Sequence, residues 1–217
     1  MSISLHALRC LSLVLLVGCE AAVSDADAAR VPDASARADA QAMPDAGRDA
    51  PITPDAPSVA AMCPPAGPFG TRAGDISPDF TLTDCDGNTH TLHELCEKQV
   101  TWLFEFADWC PPCRTFAMSR ANTIYDANVA AHGDAFAGWM VISETSDFGP
   151  PSAATCATIR DRYGIHMPVL FDPTGAMQDA LGVPANEVQV VLTEGARIDW
   201  VGRYAGSEVA ARIESAY

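Results

Sequence analysis

Basic residues and long apolar runs are both scarce in this sequence. Lysine and arginine together number 13 against 28 aspartates and glutamates, which gives a formal net charge of −15. Binding to nucleic-acid phosphates or anionic lipid headgroups needs clustered Lys and Arg, so this balance argues against both as partners. The apolar run from Leu11 to Val17 is much shorter than the roughly 20 residues of a transmembrane helix. We therefore do not expect that run to span a membrane as a structural element.

Aromatic residues are missing from residues 20 to 61. This stretch consists largely of Ala, Asp, Pro and Arg, and the unit Pro-Asp-Ala recurs at Pro32, Pro44 and Pro54. Such a composition cannot bury enough apolar surface to offset the chain entropy lost on folding. Residues 19 to 61 are therefore predicted to form a disordered, semi-extended stalk, which precedes one folded domain, residues 62 to 217.

The N-terminus has the pattern of an export signal. A stretch containing Arg9 leads into the apolar run, which ends at Leu16-Val17-Gly18-Cys19. This end resembles a bacterial lipobox, which implies that residues 1 to 18 are a lipoprotein signal peptide and that a lipid is attached to Cys19. An ordinary signal peptide that happens to contain this cysteine is the alternative. Either interpretation exports the protein, and the lipid would hold it in a bacterial cell envelope, on the periplasmic side or at the cell surface.

The pattern of the folded domain is α/β with a mixed sheet. Asp86-Gly87 between two alternating runs predicts a β-hairpin, and the sequence of residues 100 to 107 is typical of a buried strand. Pro111 and Pro112 fit the first turn of a helix that ends at Gly133. The rest of the domain is predicted to contain a strand at 135–144, a helix started by Ser152, a short strand at 168–172, a short helix at 175–183, a hairpin turning at Glu194-Gly195 and a closing helix capped by Ser207.

Two cysteines follow the predicted strand in the sequence Trp109-Cys110-Pro111-Pro112-Cys113. Cys110 falls at a helix N-terminus, where the helix dipole and free amides stabilise a thiolate and lower its pKa from about 8.5. It would be the exposed attacking thiol, and Cys113, one turn deeper, would close on the mixed disulfide. The spacing predicts a reversible dithiol-disulfide couple. A purely structural bridge that closes so small a ring is the less favoured alternative.

A second Cys or His pair at metal-ligand spacing is missing, although a tetrahedral structural metal site needs one. Cys85, Cys96, His90 and His93 lie close together in the sequence, but they would form only a contrived site. We therefore expect neither a metal nor another cofactor, because a dithiol carries two electrons by itself.

A family resemblance rests on three features: the sequence FADWCPPCR, the preceding PDFTLTDCDGNTHTL, and the βαβ pattern that follows. They resemble the TlpA-like thiol-disulfide oxidoreductases, which are similar to the alkyl hydroperoxide reductase and thiol-specific antioxidant group. The resemblance covers residues 70 to 217. It implies a thioredoxin-like fold, with a central mixed β-sheet flanked by helices and an N-terminal β-hairpin extension. It also implies that Cys110 is the nucleophile, Cys113 the resolving thiol and Trp109 part of the docking surface, with Pro112 completing the motif.

Two positions depart from the pattern of that family. Its members open the strand facing the cysteines with a cis-proline that helps to hold the substrate backbone. An ungapped comparison puts Glu187 there, and only an insertion would bring Pro184 into the role. A Glu at this place would change partner docking and raise the pKa of Cys110. Relatives often carry a proton-relaying acid where this chain has Phe116, and Glu105, in the strand before the motif, is the candidate substitute.

Four cysteines remain beside the central pair and the predicted lipidation site: Cys63, Cys85, Cys96 and Cys156. An even number in an oxidising compartment predicts two structural disulfides, with three possible connectivities. We favour Cys85 with Cys96, which are near each other across the hairpin and the helix after it. That choice leaves Cys63 with Cys156, although Cys156 could equally be a buried free thiol.

These features together predict an exported, lipid-anchored thiol-disulfide oxidoreductase that works as a reductase. Its expected partners are exported proteins with thiols or disulfides and a membrane electron donor. One alternative is a thiol peroxidase, whose peroxide-reacting cysteine is usually preceded three residues earlier by Thr or Ser; here Ala107 stands in that place. The other is a non-enzymatic copper-binding chaperone on the same fold, which typically uses a Cys-x-x-x-Cys pair, one residue longer than the spacing here.

Overall fold

The computed structural model describes residues 63 to 217, which contain a seven-stranded sheet with the order β2-β1-β5-β4-β3-β6-β7. The strands are β1 Thr81–Asp84, β2 Thr89–Thr91, β3 Val100–Ala107, β4 Phe136–Glu144, β5 Val169–Phe171, β6 Val188–Thr193 and β7 Arg197–Arg203. The helices are α1 Pro111–Phe116, α2 Asn122–His132, α3 Ala153–Tyr163, α4 Ala176–Leu181 and α5 Val209–Ser215. β3, β4 and β5 are parallel, whereas β1 and β6 run antiparallel to the strands beside them. The predicted α/β fold with a central mixed sheet is confirmed.

The central strand β3 is buried along its whole length, as its aromatic and β-branched sequence predicts. Its side chains alternate between the two faces of the sheet. Trp102, Phe104 and Phe106 pack in one apolar cluster with α1, α2, α3 and α5. Leu103 packs in a second cluster with α4 on the opposite face. The helix that carries the two central cysteines therefore has the first cluster beneath it.

Several chain segments meet at one end of the sheet, which we call the cysteine end. β3 and β4 both finish there, at Ala107 and Glu144, which are paired in the register. β6 begins there, because its first residue Val188 is opposite Glu105 of β3. β7 finishes there, because Arg203 pairs with Val188. The loops after β3, β4 and β7 and the segment before β6 thus lie at the same end of the molecule.

Both predicted hairpins form. β1 and β2 are joined at Asp86-Gly87, where Gly87 has a φ of 91°, a value that glycine accommodates without steric cost. β1 also pairs with β5, so this hairpin extends the central sheet as expected. β6 and β7 are joined through the turn Glu194–Ala196, which includes the predicted Glu194-Gly195.

The helix predicted from Pro111 to Gly133 is present but is not uniform. A π-helical segment, Ala117–Ala121, joins α1 to α2, and the sequence pattern does not predict it. Gly133 ends α2 with φ 54° and ψ −126°, a conformation that favours glycine. Ser152 caps α3 as predicted, because its hydroxyl accepts a hydrogen bond from the Thr155 amide. The predicted cap of the last helix is wrong: Glu208, rather than Ser207, precedes α5, without a side-chain cap.

The favoured pairing of Cys85 with Cys96 is wrong. The structure joins Cys63 to Cys96 and Cys85 to Cys156, with Cα separations of 5.7 Å and 5.1 Å. Because β1 pairs with β5, Cys85, which directly follows β1, lies next to α3. The sulfurs of Cys85 and Cys156 are each 3.6 Å from the carbonyl oxygen of Val169. Cys156 is therefore neither a free thiol nor the partner of Cys63.

The predictions for the N-terminal part of the chain lie outside the described residues. These are the signal peptide of residues 1 to 18, the lipid on Cys19 and the stalk of residues 19 to 61. Within residues 63 to 217, no helix combines the length and the apolar character needed to cross a bilayer.

Candidate active site

Cys110 and Cys113 lie where β3 passes the chain to α1. Cys110 occupies the N-cap with an extended backbone, φ −83° and ψ 111°. Its amide donates to the carbonyl of Ala107 at 3.0 Å, and its own carbonyl accepts from the amide of Arg114 at 3.2 Å. The two cysteines form a disulfide with their Cα atoms 5.3 Å apart. The site thus combines a disulfide with a helix N-terminus at the cysteine end of the sheet.

The expectation that Cys110 is exposed is wrong for this disulfide-bonded state. Its exposed fraction is 1%, and Cys113 is fully buried. Both belong to the apolar cluster that includes Phe106 and Phe116, and the half-buried Trp109 packs against that cluster. A partner therefore reaches the Cys110 sulfur only when neighbouring side chains move.

The two prolines limit the amides available to Cys110. The side chain of an N-cap residue accepts hydrogen bonds from the amides two and three positions later. Here those positions are Pro112, which has no amide hydrogen, and Cys113. A Cys110 thiolate would consequently have one capping donor instead of two.

Trp109 is held by two residues of the β4–α3 region. Its indole nitrogen donates to the carboxylate of Glu144 at 2.5 Å. Its ring stacks on Phe148, with centroids 5.1 Å apart and an interplanar angle of 26°. The motif itself indicates Trp109, but it gives no sign of Glu144 and Phe148, which come more than 30 positions later in the chain. Glu144 is the last residue of the strand predicted at 135–144, and functional residues of α/β proteins often lie where parallel strands end, which is the one feature of the sequence that could have indicated it.

Asp108 adds a second anchor beside the motif. It is buried, and its two carboxylate oxygens accept hydrogen bonds from Arg162 at 3.0 Å and from the Tyr163 hydroxyl at 2.9 Å. Its amide donates to the carbonyl of Glu144 at 2.9 Å. These contacts tie the loop before Cys110 to α3 and β4. No local sequence pattern marks Asp108, because its partners are far away in the chain.

Glu187 is the residue that precedes β6 at the cysteine end. It is 3% exposed, and its Oε1 accepts a hydrogen bond from Gln189 at 3.2 Å, while Gln189 in turn accepts from the Trp102 indole at 2.8 Å. A Cβ placed on Gly206 would clash with Phe116 and lie 3.1 Å from that same Glu187 oxygen. The carboxylate is thus buried close to Phe116, which is in α1 with Cys113.

Pro184 does not take the place that the family resemblance reserves for a cis-proline. It lies four residues before β6, and its carbonyl accepts from the Asn186 amide at 3.0 Å. Within the described residues, the cis peptide bonds are those before Pro64 and Pro68. Glu187 therefore opens the strand, as the ungapped comparison indicates.

Glu105 faces away from the cysteines. It is on the side of β3 that packs on α4, where its Oε1 accepts from Gln178 at 2.6 Å and its Oε2 has no partner. The pKa of Glu105 is raised to about 8, chiefly by burial and to a smaller degree by the nearby carboxylates of Asp172 and Glu144, against the lowering effect of hydrogen bonds from Gln178 and Ser143. A pKa of about 8 leaves the carboxyl group largely protonated at pH 7, but the structure does not bring it into contact with Cys110 or Cys113.

The sequence-adjacent metal candidates do not converge on a site. Cys85 and Cys96 belong to different disulfides and offer no thiolate. His90 is bound on one ring nitrogen to Glu94 at 2.9 Å and on the other to Asp84 at 3.2 Å. The hydrogen bond with Glu94 is the main cause of the raised pKa of His90. Its ring is therefore held as part of a surface ion-pair network.

The known proteins that are similar to this chain carry names of two kinds: some are named thiol-disulfide oxidoreductases and others peroxiredoxins. The thiol-disulfide oxidoreductase ResA of Halalkalibacterium halodurans is 26% identical over 127 residues, 58% of this chain and 66% of that protein. A protein of Mycobacterium tuberculosis that is provisionally named a peroxiredoxin is 30% identical over 109 residues, 50% of this chain and 62% of that protein. The chain thus spans less than two thirds of the length of each of these curated relatives.

The fold and the family follow from two further comparisons. A structure from Chlorobium tepidum, provisionally named the thiol:disulfide interchange protein DsbE, superposes with a TM-score of 0.55 at 20% identity, over 68% of this chain and 99% of that chain. This likeness supports the thioredoxin-like fold. The model of the AhpC/TSA family matches residues 73 to 201, more than half of the sequence. The chain therefore belongs to the AhpC/TSA family.

Proposed function

We propose that this protein is an exported thiol-disulfide oxidoreductase that exchanges disulfides with other exported proteins through Cys110 and Cys113. The observation that carries the proposal is the Cys110–Cys113 disulfide at the N-terminus of α1. A thiolate in that position is stabilised by the helix dipole and by the Cys113 amide. The family membership and the similarity to ResA support this class of reaction.

The reaction needs only the two thiols. The Cys110 thiolate attacks one sulfur of a partner disulfide, forming a mixed disulfide and releasing the other partner sulfur as a thiolate. Cys113 then loses its proton and attacks the Cys110 sulfur, so the mixed disulfide breaks and the second partner thiol leaves. The partner gains two electrons and two protons, and the protein keeps the Cys110–Cys113 disulfide until a membrane electron donor reduces it.

Two further disulfides support an oxidising location. Cys63–Cys96 joins the segments before and after the hairpin, and Cys85–Cys156 joins the hairpin turn to α3. Such structural disulfides are rare in a reducing cytosol. Together with the signal sequence, they favour a place in the cell envelope, anchored by lipid on Cys19. The acidic composition fits proteins, rather than nucleic acids, as partners.

The direction of electron flow follows from how well the protein stabilises the Cys110 thiolate. A strongly stabilised thiolate favours the reduced form of the protein, which then becomes an oxidant towards its partners. Because Pro112 removes one of the two capping amides, the reduced form is less favoured than it would be with both amides, which shifts the couple towards a reductase. We expect the Cys110–Cys113 couple to have a reduction potential near the value of about −270 mV that is typical of thioredoxin.

The decisive experiment measures that potential. The protein is equilibrated in dithiothreitol buffers of graded redox ratio, and the fluorescence change of Trp109 reports the fraction reduced. Cys113→Ala is the control, since it cannot form the internal disulfide. A value near about −120 mV would instead indicate a disulfide donor, and a protein without a Cys113-dependent transition would not be a dithiol oxidoreductase at all.

Restoring the missing amide should make the protein more oxidising. In Pro112→Ala, the new amide at the second helix position donates to the Cys110 thiolate, and a hydrogen bond worth about 1.4 kcal/mol raises the potential by about 30 mV. Pro111→Ala is the matched control, because the amide of the first helix position is not a capping donor. Equal shifts in both variants, measured in the same redox buffers, would mean that proline acts through chain stiffness instead.

A peroxidase is the second candidate, and the similarity to a protein provisionally named a peroxiredoxin favours it. One feature opposes it: Ala107 supplies no hydroxyl three residues before Cys110. Consumption of hydrogen peroxide by the pre-reduced protein tests this function: a rate no faster than that of free cysteine would leave disulfide exchange as the activity.

A further inference from the structure

A buried carboxylate lies two residues before the nucleophile. Asp108 directly follows β3, and the exposed fraction of its side chain is 7%. The amide of Cys110 donates to the carbonyl of Ala107 at 3.0 Å, which closes residues 107 to 110 into a tight turn. Because consecutive Cα atoms are about 3.8 Å apart, those of Asp108 and Cys110 are at most about 7.6 Å apart. An uncompensated negative charge so near the sulfur would disfavour the Cys110 thiolate.

Two residues at the end of α3 hold this carboxylate. Nη1 of Arg162 donates to one of its oxygens at 3.0 Å, and the hydroxyl of Tyr163 donates to the other at 2.9 Å. The ring of Tyr163 packs against the apolar cluster that contains Cys110 and Cys113. The hydroxyl that holds Asp108 therefore belongs to a side chain on the cysteine face of the sheet.

The two charges of this ion pair differ greatly in their exposure. The side chain of Arg162 is 53% exposed, whereas that of Asp108 is almost entirely covered. A guanidinium in solvent is stable without its partner, but a buried carboxylate that loses its cation becomes an uncompensated charge. Loss of Arg162 would therefore leave a negative charge beside Cys110, while loss of Asp108 would leave only a solvated cation.

Other carboxylates near the motif have no such partner. Glu144 holds Trp109, and Glu187 is buried close to Phe116, but within residues 63 to 217 neither of the two glutamates forms an ion pair. The charged side chains on the segments that meet at the cysteine end are Asp108, Arg114, Glu144, Asp147, Arg162, Glu187 and Arg203. Acidic groups outnumber basic ones in this set, so a thiolate here depends on the cations that are present.

We propose that Arg162 is a positioning residue for the disulfide exchange: by pairing with Asp108 it neutralises a buried negative charge beside Cys110 and keeps that thiol ionised and reactive. Arg162 acts through Asp108 and needs no contact with the sulfur or with the partner. This inference rests on the proposed disulfide exchange and adds the group that sets the reactivity of its nucleophile.

The test measures the ionisation of Cys110 in protein that carries Cys113→Ala. The neutral reagent iodoacetamide reacts with the thiolate, and peptide mass spectrometry locates the product on Cys110. Arg162→Met should raise the pKa of Cys110 by about one unit, which lowers the alkylation rate at pH 6 about tenfold. The rates of the two proteins should converge once the pH exceeds the raised pKa, because both thiols are then fully ionised. A change in access alone would instead alter the rate by the same factor at every pH.

A second substitution separates the charge from the anchoring. Asp108→Asn combined with Arg162→Met loses the ion pair but leaves no charge beside Cys110, so the double variant should alkylate within about twofold of the rate with the native pair. If the pair were only an anchor, the double variant would be at least as impaired as Arg162→Met. Arg162→Lys, which keeps the charge, should retain most of the rate.

Arg160→Met is the matched control. Arg160 is also in α3, but its ion pair is with the exposed Asp161. Its removal should leave the pH profile of Cys110 unchanged. Circular dichroism of each variant confirms that it is folded before its rates are compared.

Reduction of hydroxyethyl disulfide by the pre-reduced protein, with both motif cysteines present, connects ionisation to function. The second-order rate constant of Arg162→Met at pH 6 should be about tenfold below that of wild type, and the double variant should recover it. If wild type does not reduce hydroxyethyl disulfide, the proposed function is wrong, whereas the alkylation profiles still decide the role of Arg162. If wild type is active but Arg162→Met has the same pH profile, or the double variant is as slow as the single one, disulfide exchange stands and the role of Arg162 is overturned.

Discussion

Cys113→Ala should leave the protein covalently joined to its partners through Cys110. Without the second thiol, the mixed disulfide cannot be resolved internally. The steady-state rate at which the protein reduces a protein disulfide is expected to fall by roughly 10³-fold or more, because removal of a residue that reacts covalently typically has an effect of this size. Non-reducing gels of cell-envelope extracts should show partner adducts that disappear on treatment with dithiothreitol. Mass spectrometry of the adducts would identify both the partners and the attached cysteine.

Two control variants define what the trapping experiment means. Cys110→Ala should form no adducts, because Cys113, inside the first turn of α1, is not the attacking thiol. The double variant Cys63→Ala/Cys96→Ala, which removes a disulfide away from the motif, should keep turnover once circular dichroism shows that it is folded. Equal trapping by Cys110→Ala would reverse the roles of the two thiols, and full turnover by Cys113→Ala would exclude a dithiol mechanism.

The burial of Cys110 gives the attack a conformational requirement. The sulfur is nearly inaccessible in the disulfide form, while Trp109 beside it is held by Glu144 and stacked on Phe148. Attack on a partner disulfide therefore requires the side chains packed around Cys110 to move.

Local sequence patterns predicted the elements that depend on near neighbours. The strand at residues 100 to 107 and the turn at Asp86-Gly87 were predictable because alternation, aromatic content and turn chemistry are written within a few residues. The disulfide partner of Cys85 could not be predicted in this way. The Cys85–Cys156 bond depends on β1 lying beside β5, a contact between residues more than 80 positions apart, whereas nearness in the sequence favoured Cys96.

The candidate site shows the same division. The two motif cysteines can be recognised from the sequence because they directly follow a predicted strand. Glu187, which stands where the related proteins have a proline, can be recognised because it directly precedes another predicted strand. The anchors Glu144 and Arg162 become neighbours of the motif only when β4 and α3 are placed beside β3. The exposure of Cys110 could not be predicted either, because a helix N-terminus indicates which amides are free, but not which side chains cover them.

The buried Glu105 gives the second large expected effect, a fall in stability as the pH rises. Its pKa in the folded state, about 8, lies above its ordinary value of 4.5. Between these two values the folded state holds one more proton than the unfolded state, so the free energy of unfolding decreases with pH. The stabilisation is complete below about pH 4.5 and is lost as the pH rises through about 8. The total is on the order of 5 kcal/mol.

Glu105→Gln should remove this pH dependence, because a neutral amide of nearly the same shape keeps the contact with Gln178 and never ionises. Urea denaturation at intervals from pH 4.5 to pH 9 measures the effect. Wild type and variant should have similar stability at pH 4.5, and the variant should become increasingly the more stable protein as the pH rises towards about 8, above which the difference levels off. Gln178→Met provides the complementary test: loss of the hydrogen bond that favours the charged carboxylate should raise the pKa of Glu105 further. Parallel stability curves for wild type and Glu105→Gln would mean that Glu105 ionises in the folded protein without cost, and that water reaches its unpartnered oxygen.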